Sequence, residues 1–277
     1  MTTTPMIVFI GAGNMAGALI RGLVDTSTSE ADRILAADPD TARLGALAST
    51  LGVRTTSDNA EALRRADIVI LATKPQVFRE LLPEVARELR PESLVISIAA
   101  GVSNSILEGA LPRGARVVRT MPNTPALVGA GATAISGGTQ ATEEDLLLAE
   151  RLFQSVGLTV RVPEAQMDAV TGLSGSGPAY VFAMIEALRD AGVGEGLEEG
   201  VALDLAAQTV FGAAKLLRDQ EESPEVLRER VTSPGGTTRA GLDSLQEAGF
   251  AQTMAGAVRA ATRRSAELRQ MVENAAG

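Results

Sequence analysis

Short apolar runs alternate with amphipathic stretches along the first 163 residues of the chain. Runs such as Met6–Ile10 and Asp67–Ala72 are apolar at nearly every position, which is typical of parallel strands covered on both faces. Between the runs, apolar residues recur at helical spacing, as in Ala16–Val24. This alternation predicts an α/β fold, with a doubly wound parallel sheet and helices on both of its faces.

The predicted strands, in chain order, are Met6–Ile10, Ile34–Ala37, Val53–Thr55, Asp67–Ala72, Leu94–Ile98, Arg116–Arg119, Thr133–Ser136 and Thr159–Val162. The predicted helices between them are Ala16–Val24, Thr41–Leu51, Ala60–Arg65, Val77–Leu89, Asn104–Leu111 and Glu143–Val156. Asn59 is a candidate N-cap for the third of these helices, because its side-chain oxygen can accept a hydrogen bond from a free backbone N–H.

Beyond Pro163 the strand pattern ends and helical spacing remains, so we divide the chain into residues 1–163 and an all-α domain of residues 164–277. Gly192 is expected to stop the first long helix, because glycine is favoured just past a helix C-terminus. The helices are predicted at Tyr180–Ala191, Leu197–Arg218, Pro224–Val231, Arg239–Ala248 and Phe250–Val272, after a short helix or loop at Ala165–Leu173.

The helix Leu197–Arg218 has an uncharged middle, Leu205–Ala214. A helix that is apolar on most sides must be buried on most sides. A small helical domain has little interior in which to bury it. We therefore predict that a partner subunit covers part of this helix in an intertwined homodimer.

A glycine-rich turn joins the first strand to the first helix. Gly11-Ala12-Gly13-Asn14-Met15-Ala16 fits the pattern G-x-G-x-x-A, in which the first glycine allows a tight turn and the second lets the backbone approach a pyrophosphate. The N–H groups and dipole of the following helix favour an anion. An ordinary strand–helix turn is the alternative, but the strand before and the helix after supply the context that a dinucleotide site requires.

Other candidates lie where predicted parallel strands end, because α/β sheets bind ligands at the carboxyl ends of their strands. Asp38 follows the second strand, where an acidic residue can hydrogen-bond a ribose and would repel a 2′-phosphate. Asp38 or Asp40 could instead cap the next helix. Lys74 could reach a ribose hydroxyl or a phosphate, or be a solvated surface lysine. The small residues Ala99–Gly101 leave room for a flat ring against the backbone.

A second informative stretch, Thr232-Ser233-Pro234-Gly235-Gly236-Thr237-Thr238, precedes a predicted helix in the second half. It could be a plain turn. However, it groups hydroxyls and exposed N–H groups just before a helix start, an arrangement that holds a carboxylate. In a chain with a dinucleotide site, we favour the carboxylate site.

Composition excludes several kinds of chemistry. The 277 residues include no Cys and no His, so disulfides, thiolate nucleophiles, His-based triads and imidazole metal sites are ruled out, and no metal is expected. The formal net charge of −9 and the lack of a basic stripe argue against nucleic acid. The segment from Thr120 to Thr142 is uncharged but broken by Pro and Gly, so we expect no membrane association. The start MTTTPM has no signal-peptide pattern, and we expect a cytoplasmic protein.

At this point the motifs as a group resemble those of one family, in order and spacing over nearly the whole chain. The family is pyrroline-5-carboxylate reductase, and the motifs are Gly11–Ala16, Lys74-Pro75, Ala99–Gly101, Met121–Pro125, Thr171–Tyr180 and Ser233–Gly236. The resemblance implies a Rossmann-type domain followed by a helical dimerisation domain. It implies reduction of the C=N bond of 1-pyrroline-5-carboxylate to L-proline, the last step of proline biosynthesis, with non-covalently bound NADPH or NADH. Family members form homodimers that often assemble into pentamers of dimers, with each active site shared between neighbouring subunits.

The resemblance also implies roles for single residues. The pyrophosphate would meet Gly11, Ala12, Gly13, Asn14 and Met15, the adenosine ribose would meet Asp38, and the adenine half would meet Asn59. The nicotinamide side would be Ala72, Thr73, Lys74, Pro75, Ala99, Ala100 and Gly101. The substrate would meet Glu221, Ser233, Gly235, Gly236, Thr237 and Thr238, with Thr238 nearest the imine as the catalytic residue.

The implied chemistry suits a chain without imidazole or thiol, because a protonated cyclic imine accepts hydride once it is oriented. A hydroxyl is a poor acid, so we expect the proton to arrive with the substrate or through water, with Thr238 hydrogen-bonding the ring nitrogen. Asp38 leaves the choice between NADH and NADPH open, since many relatives that use NADPH have other residues there.

Two other functions compete with this one. A β-hydroxyacid dehydrogenase or another imine reductase would share the architecture, but the former relies on a catalytic Lys in its helical domain. Here the only Lys beyond Pro163 is Lys215, with Asp219 rather than Asn four residues later. A non-catalytic dinucleotide sensor or scaffold is the second alternative, and the segment from Ser233 to Thr238 argues against it.

Overall fold

The protein is described here by a computed structural model, which covers the backbone of residues 4–276 and the side chains of residues 4–272. The strands are β1 Ile7–Ile10, β2 Ile34–Ala37, β3 Arg54–Thr56, β4 Ile68–Leu71, β5 Leu94–Ser97, β6 Arg116–Met121, β7 Gly131–Gly137 and β8 Gly157–Arg161. The helices are α1 Asn14–Asp25, α2 Thr41–Leu51, α3 Asn59–Leu63, α4 Phe78–Glu88, α5 Asn104–Ala110, α6 Glu143–Gln154, α7 Met167–Val170, α8 Gly177–Gly194, α9 Glu199–Gln220, α10 Pro224–Arg230, α11 Thr237–Glu247 and α12 Phe250–Ala276.

The strands form one sheet in the order β3-β2-β1-β4-β5-β6-β7-β8. From β3 to β6 all neighbours are parallel, with Ile7 of β1 level with Ile34 on one side and Ile68 on the other. The chain first builds outward from β1 to β3, then returns to place β4 on the opposite side of β1. The predicted doubly wound architecture is thus confirmed.

One pairing departs from the parallel pattern, since β6 and β7 are antiparallel. The connection between them contains only a 3₁₀ turn at Thr124–Val128. A parallel return needs a crossover of about a dozen residues or more, usually helical, whereas a short connection suits an antiparallel neighbour. β8 is again parallel to β7, after the crossover helix α6.

Both faces of the sheet are covered by apolar layers. Phe9 and Ile70 face one layer, to which α1 and α6 contribute Leu19 and Phe153. Alternate strand residues such as Val69 face the other layer, built with α3, α4 and α5. The four residues of β1, β2, β4 and β5 are all buried, which explains their continuous apolar sequence.

Contacts within the chain divide it into two compact units, one of residues up to Ser176 together with those from Ala260 onward, the other Gly177–Arg259. This division differs from the boundary predicted at Pro163. Residues after Pro163 remain with the first unit because Met167 is fully buried and Asp168 bonds to Ser265 and Arg269 of α12. The helix α12 therefore belongs to both units.

The prediction that Gly192 ends α8 is wrong, because the helix continues to Gly194. Gly192 instead allows α9 to pack closely against α8, because a Cβ at this position would lie only 3.2 Å from the Cβ of Ala202 in α9. Gly196 terminates the helix, with φ +97° and an N–H that donates to the Val193 carbonyl. The Leu197 N–H donates to the Gly192 carbonyl, which completes a Schellman motif.

In the second unit, α9 exposes much of its apolar surface. Only Ala202 and Ala206 are buried among its residues, whereas Leu205 is 55% and Phe211 61% exposed. By length and composition, α9 is also the one helix in the described part of the chain apolar enough to cross a membrane. Phe182 on α8 is 61% exposed as well. A concentration of exposed large apolar side chains on two helices is typical of an interaction surface, in agreement with the predicted partner subunit.

The first unit contains an ion pair of a buried arginine with a half-buried glutamate, which the apolar pattern does not predict. Arg119 in β6 is 1% exposed and donates through Nη1 to Glu164 Oε1 at 2.7 Å. Asn104 donates to the same carboxylate through its backbone N–H and its side chain. The pair thereby joins β6 and α5 to the segment that follows β8.

We expect the substitution Gly22→Ala in α1 to destabilise the protein by about 1–3 kcal/mol, although alanine is normally the better helix former. A Cβ at Gly22 would lie 2.5 Å from Val156 Cγ1 and 2.7 Å from the Ser155 carbonyl oxygen. Gly45→Ala in α2 is the matched control, because no atom lies within 4 Å of its Cβ position. Urea unfolding should show Gly45→Ala unchanged or more stable, and equal effects of the two substitutions would contradict the packing argument.

Candidate dinucleotide and carboxylate sites

The carboxyl ends of β2, β1, β4, β5 and β6 lie side by side along one end of the sheet. The order of the strands reverses between β1 and β4, and α/β sheets bind ligands in the crevice at such a switch point. The loops that start at Gly11, Ala72 and Ala99 meet at this end. The structure thus brings most of the predicted cofactor residues to one place.

The glycine-rich loop fits closely against the end of β4. Gly11 has φ +96°, and a Cβ there would lie 2.9 Å from the Ala72 carbonyl carbon and oxygen, so only glycine fits without strain. Gly13 is the N-cap of α1, and no side chain among the described residues caps this helix start. Nothing lies within 4 Å of a Cβ built at Gly13, so the α1 N-terminus is open to an anion.

A cavity of about 290 Å³ borders the glycine-rich loop. Gly13 and Asn14 line it, together with the side chains of Arg21 and Arg43. The Arg21 guanidinium and the uncapped helix start can attract an anion, and Arg43 lies beside them in ion pairs with Asp38 and Asp40. Asn14 is exposed and Met15 half-buried, whereas Ala12 and Ala16 are buried. The donor set suits a phosphate-containing cofactor.

Asp38, at the end of β2, is tied to the glycine-rich loop. Its Oδ2 accepts the N–H of Ala12 at 2.7 Å and its Oδ1 accepts the N–H of Asp40 at 2.9 Å. The guanidinium of Arg43 lies 3.5 Å from Oδ2. Asp40 is the N-cap of α2, where it accepts the Arg43 N–H. Of the two aspartates that could cap this helix, it is therefore Asp40 that does so, whereas Asp38 bonds to the glycine-rich loop.

The prediction that Asn59 caps α3 is wrong. Asp58 is the N-cap and accepts the Glu61 N–H at 3.0 Å. Asn59 is the first helical residue, and its side-chain amide donates to Glu84 Oε2 at 3.2 Å. Both Asp58 and Asn59 are good capping residues, so the sequence alone did not decide between them.

The segment after β4 has one polar atom that suggests a ligand. The Thr73 hydroxyl is buried and has no hydrogen-bond partner within the described residues. Buried polar groups are normally satisfied, so such an atom calls for an explanation. Ala72 donates its N–H to Ile10 at 2.8 Å, Lys74 is exposed, and Pro75 begins a 3₁₀ turn. Lys74 has no ion pair among the described residues, so both of its predicted roles remain open.

The loop after β5 combines small residues with a bend. Ala99 is buried and its N–H donates to the Ser97 hydroxyl, Ala100 is exposed, and Gly101 has φ +76°. Because Ala100 has no large side chain, the backbone here is open to the approach of a ring, and the predicted role of these residues stays a prediction.

Sequence reasoning did not assign a role to Asn123, which joins two of the motifs. Its amide donates to the carbonyl and the hydroxyl of Ser174, and its oxygen accepts the Ala132 N–H. Ser174 lies in a π-helical turn, Thr171–Gly175, which begins inside the short helix or loop predicted at Ala165–Leu173 and extends beyond it. A Cβ on Gly175 would lie 2.6 Å from Met121 Cε. π-Helical turns occur frequently at functional sites, and the run of Gly and Ser was the available signal.

In the second unit, the predicted substrate segment forms a tight turn that leads into α11. Gly235 has φ +68°, and the Gly236 N–H donates to the Ser233 carbonyl at 3.0 Å. Gly236 is the N-cap of α11, and no side chain in the described part of the chain caps it. Thr237 and Thr238 form the exposed first turn, which contains no acidic residue. Free N–H groups and hydroxyls here suit a carboxylate.

Glu221 lies at the C-terminal end of α9, in the same unit as the α11 turn. It is exposed and adopts a left-handed conformation with φ +53°. Non-glycine residues rarely adopt positive φ, and such residues are often functional. Among the described residues, no group of three or more acidic side chains could hold a metal ion.

Known proteins similar in sequence to this chain are reductases, in agreement with a site for a dinucleotide coenzyme. The chain is 48% identical to a pyrroline-5-carboxylate reductase of Methanosarcina acetivorans, over 95% of this chain and 97% of that protein. This chain belongs to the pyrroline-5-carboxylate reductase family. Residues 164–268 match the family model "Pyrroline-5-carboxylate reductase dimerisation", and residues 6–101 match "NADP oxidoreductase coenzyme F420-dependent". The predicted family is thereby confirmed.

Solved structures of reductases from this family share the whole fold. The structure of a pyrroline-5-carboxylate reductase from Coxiella burnetii matches with a TM-score of 0.91 and 38% identity, over 96% of this chain and 99% of that one. A Plasmodium falciparum pyrroline carboxylate reductase with NADP bound matches with a TM-score of 0.85 and 30% identity, over 96% and 98%. The exposed apolar helices α8 and α9 lie within the region that matches the dimerisation model.

We expect Asp38→Asn to shift the coenzyme preference towards NADPH. Removing the charge removes repulsion of a 2′-phosphate beside Arg43, while the neutral amide accepts a hydrogen bond from the adenosine ribose of NADH less strongly than the carboxylate does. Since hydrogen bonds to charged groups contribute about 1.5–3 kcal/mol, the ratio of the Kd for NADPH to that for NADH should fall by about tenfold.

Asp40→Ser is the matched control for this substitution, because it removes a nearby charge and keeps a helix-capping side chain. Fluorescence titration with both coenzymes measures the ratio. An unchanged ratio in Asp38→Asn, or an equal change in Asp40→Ser, would contradict a role for Asp38 in coenzyme choice.

Proposed function

We propose that this chain reduces 1-pyrroline-5-carboxylate to L-proline with NADH or NADPH, the last step of proline biosynthesis. The proposal rests on two helix N-termini that no side chain of the described residues caps, at Gly13 and Gly236. Both lie in motifs of the family, to which the chain is related over nearly its whole length. One suits a pyrophosphate and the other a small carboxylate.

The first unit binds the coenzyme. Gly11, Gly13 and the N–H groups of Asn14 and Met15 hold the pyrophosphate, and Asp38 lies at the adenosine ribose. The closeness of Gly11 to β4, the open space at Gly13 and the unpartnered Thr73 hydroxyl all fit a dinucleotide. When bound, the reduced nicotinamide supplies a hydride to the imine carbon, and the electrons of the C=N bond move to the ring nitrogen.

The nicotinamide half lies along Ala72–Pro75 and Ala99–Gly101. The small side chains of Ala72 and Ala100 leave space for the ring, and the Thr73 hydroxyl can donate a hydrogen bond to the carboxamide. Fixing the ring in this way lowers the entropic cost of reaching the hydride-transfer geometry. Asn59 contributes near the adenine half, on the α3 side of the sheet.

The second unit binds the substrate. The N–H groups of Thr237 and Thr238 and the hydroxyl of Ser233 hold the carboxylate, while Gly235 and the bond from the Gly236 N–H to the Ser233 carbonyl keep the turn in place. The Thr238 hydroxyl hydrogen-bonds the ring nitrogen and so orients the imine. Because a hydroxyl is a poor acid, the imine binds protonated or receives its proton through water. Glu221 contributes a negative charge, which favours the protonated imine over the neutral one.

The chain forms a homodimer through the dimerisation region, and α8 and α9 supply the apolar surface for it. We further propose that dimers assemble into pentamers of dimers and that the protein is cytoplasmic. Support for these two statements comes from the family resemblance and from the composition of the chain. The division into a dinucleotide domain of residues 1–163 and a dimerisation and substrate domain of residues 164–277 likewise stays a proposal.

Steady-state oxidation of NADH and NADPH in the presence of 1-pyrroline-5-carboxylate tests the function directly, with proline as the product to detect. In this assay we expect Thr238→Ala to raise the KM for the imine by about tenfold and to lower kcat, because a hydrogen bond to a charged group is lost. The Kd for coenzyme should stay unchanged, since the residue contacts only the substrate.

Thr253→Ala provides the control for that substitution, because Thr253 is an exposed threonine near the start of α12 whose hydroxyl donates to the Gly249 carbonyl. It should behave like the unmodified protein. Wild-type kinetics in Thr238→Ala would exclude the catalytic role, and absence of proline formation by the unmodified chain would exclude the function.

We expect Phe211→Glu to disrupt the dimer, because it buries a charge in the apolar surface of α9. Leu147→Glu, on α6 in the first unit, adds the same charge at an exposed leucine and should leave the mass unchanged. Sedimentation at micromolar concentration measures both variants, and the mass of the unmodified protein distinguishes a dimer from a pentamer of dimers. A Phe211→Glu protein with the unmodified mass would contradict the assigned interface.

A further inference from the structure

The C-terminal part of α12 lies directly against the loop that follows β5. Gly101 in this loop is buried, and a Cβ built on it would lie 3.6 Å from the backbone nitrogen of Arg269 and 3.8 Å from the carbonyl carbon of Leu268. The backbones of loop and helix therefore lie close together, with room between them for little more than a methyl group. A displacement of α12 towards the loop at this point would displace the loop.

A carboxylate of α7 bonds to two side chains of α12 in this region. Asp168 in α7 accepts the Ser265 hydroxyl through Oδ1 at 2.7 Å and the Arg269 Nε–H through Oδ2 at 3.2 Å. Ser265 and Arg269 are one turn apart, so both point from the same face of the helix. Ser265 is 5% exposed, and a hydrogen bond in such a low-dielectric environment is strong.

Packing on the neighbouring side of the loop is loose. A largely apolar cavity of about 450 Å³ separates Pro75 and Ala100 from Leu268 and Met271 of α12. Atoms that border a cavity lack dispersion partners on that side. The residues on either side of Ala100 and Gly101 are buried, so α12 supports the loop at these two residues rather than along its whole length.

We infer that Asp168, Ser265 and Arg269 are positioning residues for the nicotinamide half of the coenzyme. They hold α12 against Gly101 and thereby fix the Ala99–Gly101 loop on which the ring lies. The inference rests on the proposed function for the placement of that ring. Small displacements of a reacting group lower the rate of hydride transfer strongly, so a distant ion pair can affect the reaction through the loop.

The test compares Arg269→Leu and Ser265→Ala with Arg264→Leu. Arg264 lies on the same helix but pairs with Glu267 in solvent, so its replacement is a matched control. The probes are NADH and ADP-ribose, which lacks the nicotinamide ring. For Arg269→Leu we expect the Kd for NADH to rise about fivefold while the Kd for ADP-ribose stays unchanged. Ser265→Ala should show a smaller change of the same kind, and Arg269→Lys should recover part of the loss.

In steady-state assays, Arg269→Leu should raise the KM for coenzyme and leave the KM for the imine at saturating coenzyme unchanged. Equal losses for NADH and ADP-ribose would indicate a general structural defect and overturn the inference, as would unchanged NADH binding in both variants. The binding measurements need no imine. Failure of the proposed reaction would therefore be seen in the unmodified protein and would be distinct from failure of this inference.

Discussion

The close approach of Gly11 to the end of β4 is the contact on which the candidate site depends. Because no side chain separates the two backbones, the loop after β1 passes directly over the neighbouring strand and α1 begins at the switch point of the sheet. The bond from Ala12 to Asp38 fixes the same loop to β2. The loop is thus held on both sides, and the uncapped N–H groups of α1 are presented in one defined direction.

Buried polar contacts determine how the rest of the first unit is joined. Arg119 is fully buried in β6 and is paired with Glu164, although its Nε and Nη2 have no partner among the described residues. An ion pair of this kind costs desolvation and contributes little net stability, but breaking it would leave an uncompensated buried charge. The pair fixes the segment between β8 and α7 against β6. Asp168 of α7 in turn bonds to α12.

The second unit has an apolar surface that a dimer partner would cover. Its helices expose Phe182, Leu205 and Phe211, a surface that costs free energy when it faces water. The dimerisation model that matches residues 164–268 explains why this surface is apolar and why α9 resembles a membrane helix in composition alone. Folding of this unit and association are therefore expected to be coupled.

The sequence by itself determined most strands and helices, the parallel arrangement of β1 to β6, the glycine-rich turn and the family, because these depend on local periodicity and on motifs that need few residues. The tertiary structure decided what Gly192, Asp58 and Arg119 do. Gly192 lies inside a helix, where its lack of a side chain leaves space for Ala202 of α9. Asp58 rather than Asn59 caps α3. Arg119 is buried and is paired with a carboxylate far along the chain. Each of these outcomes depends on a close contact, often with a residue distant in sequence, and hydrophobic periodicity does not encode such contacts.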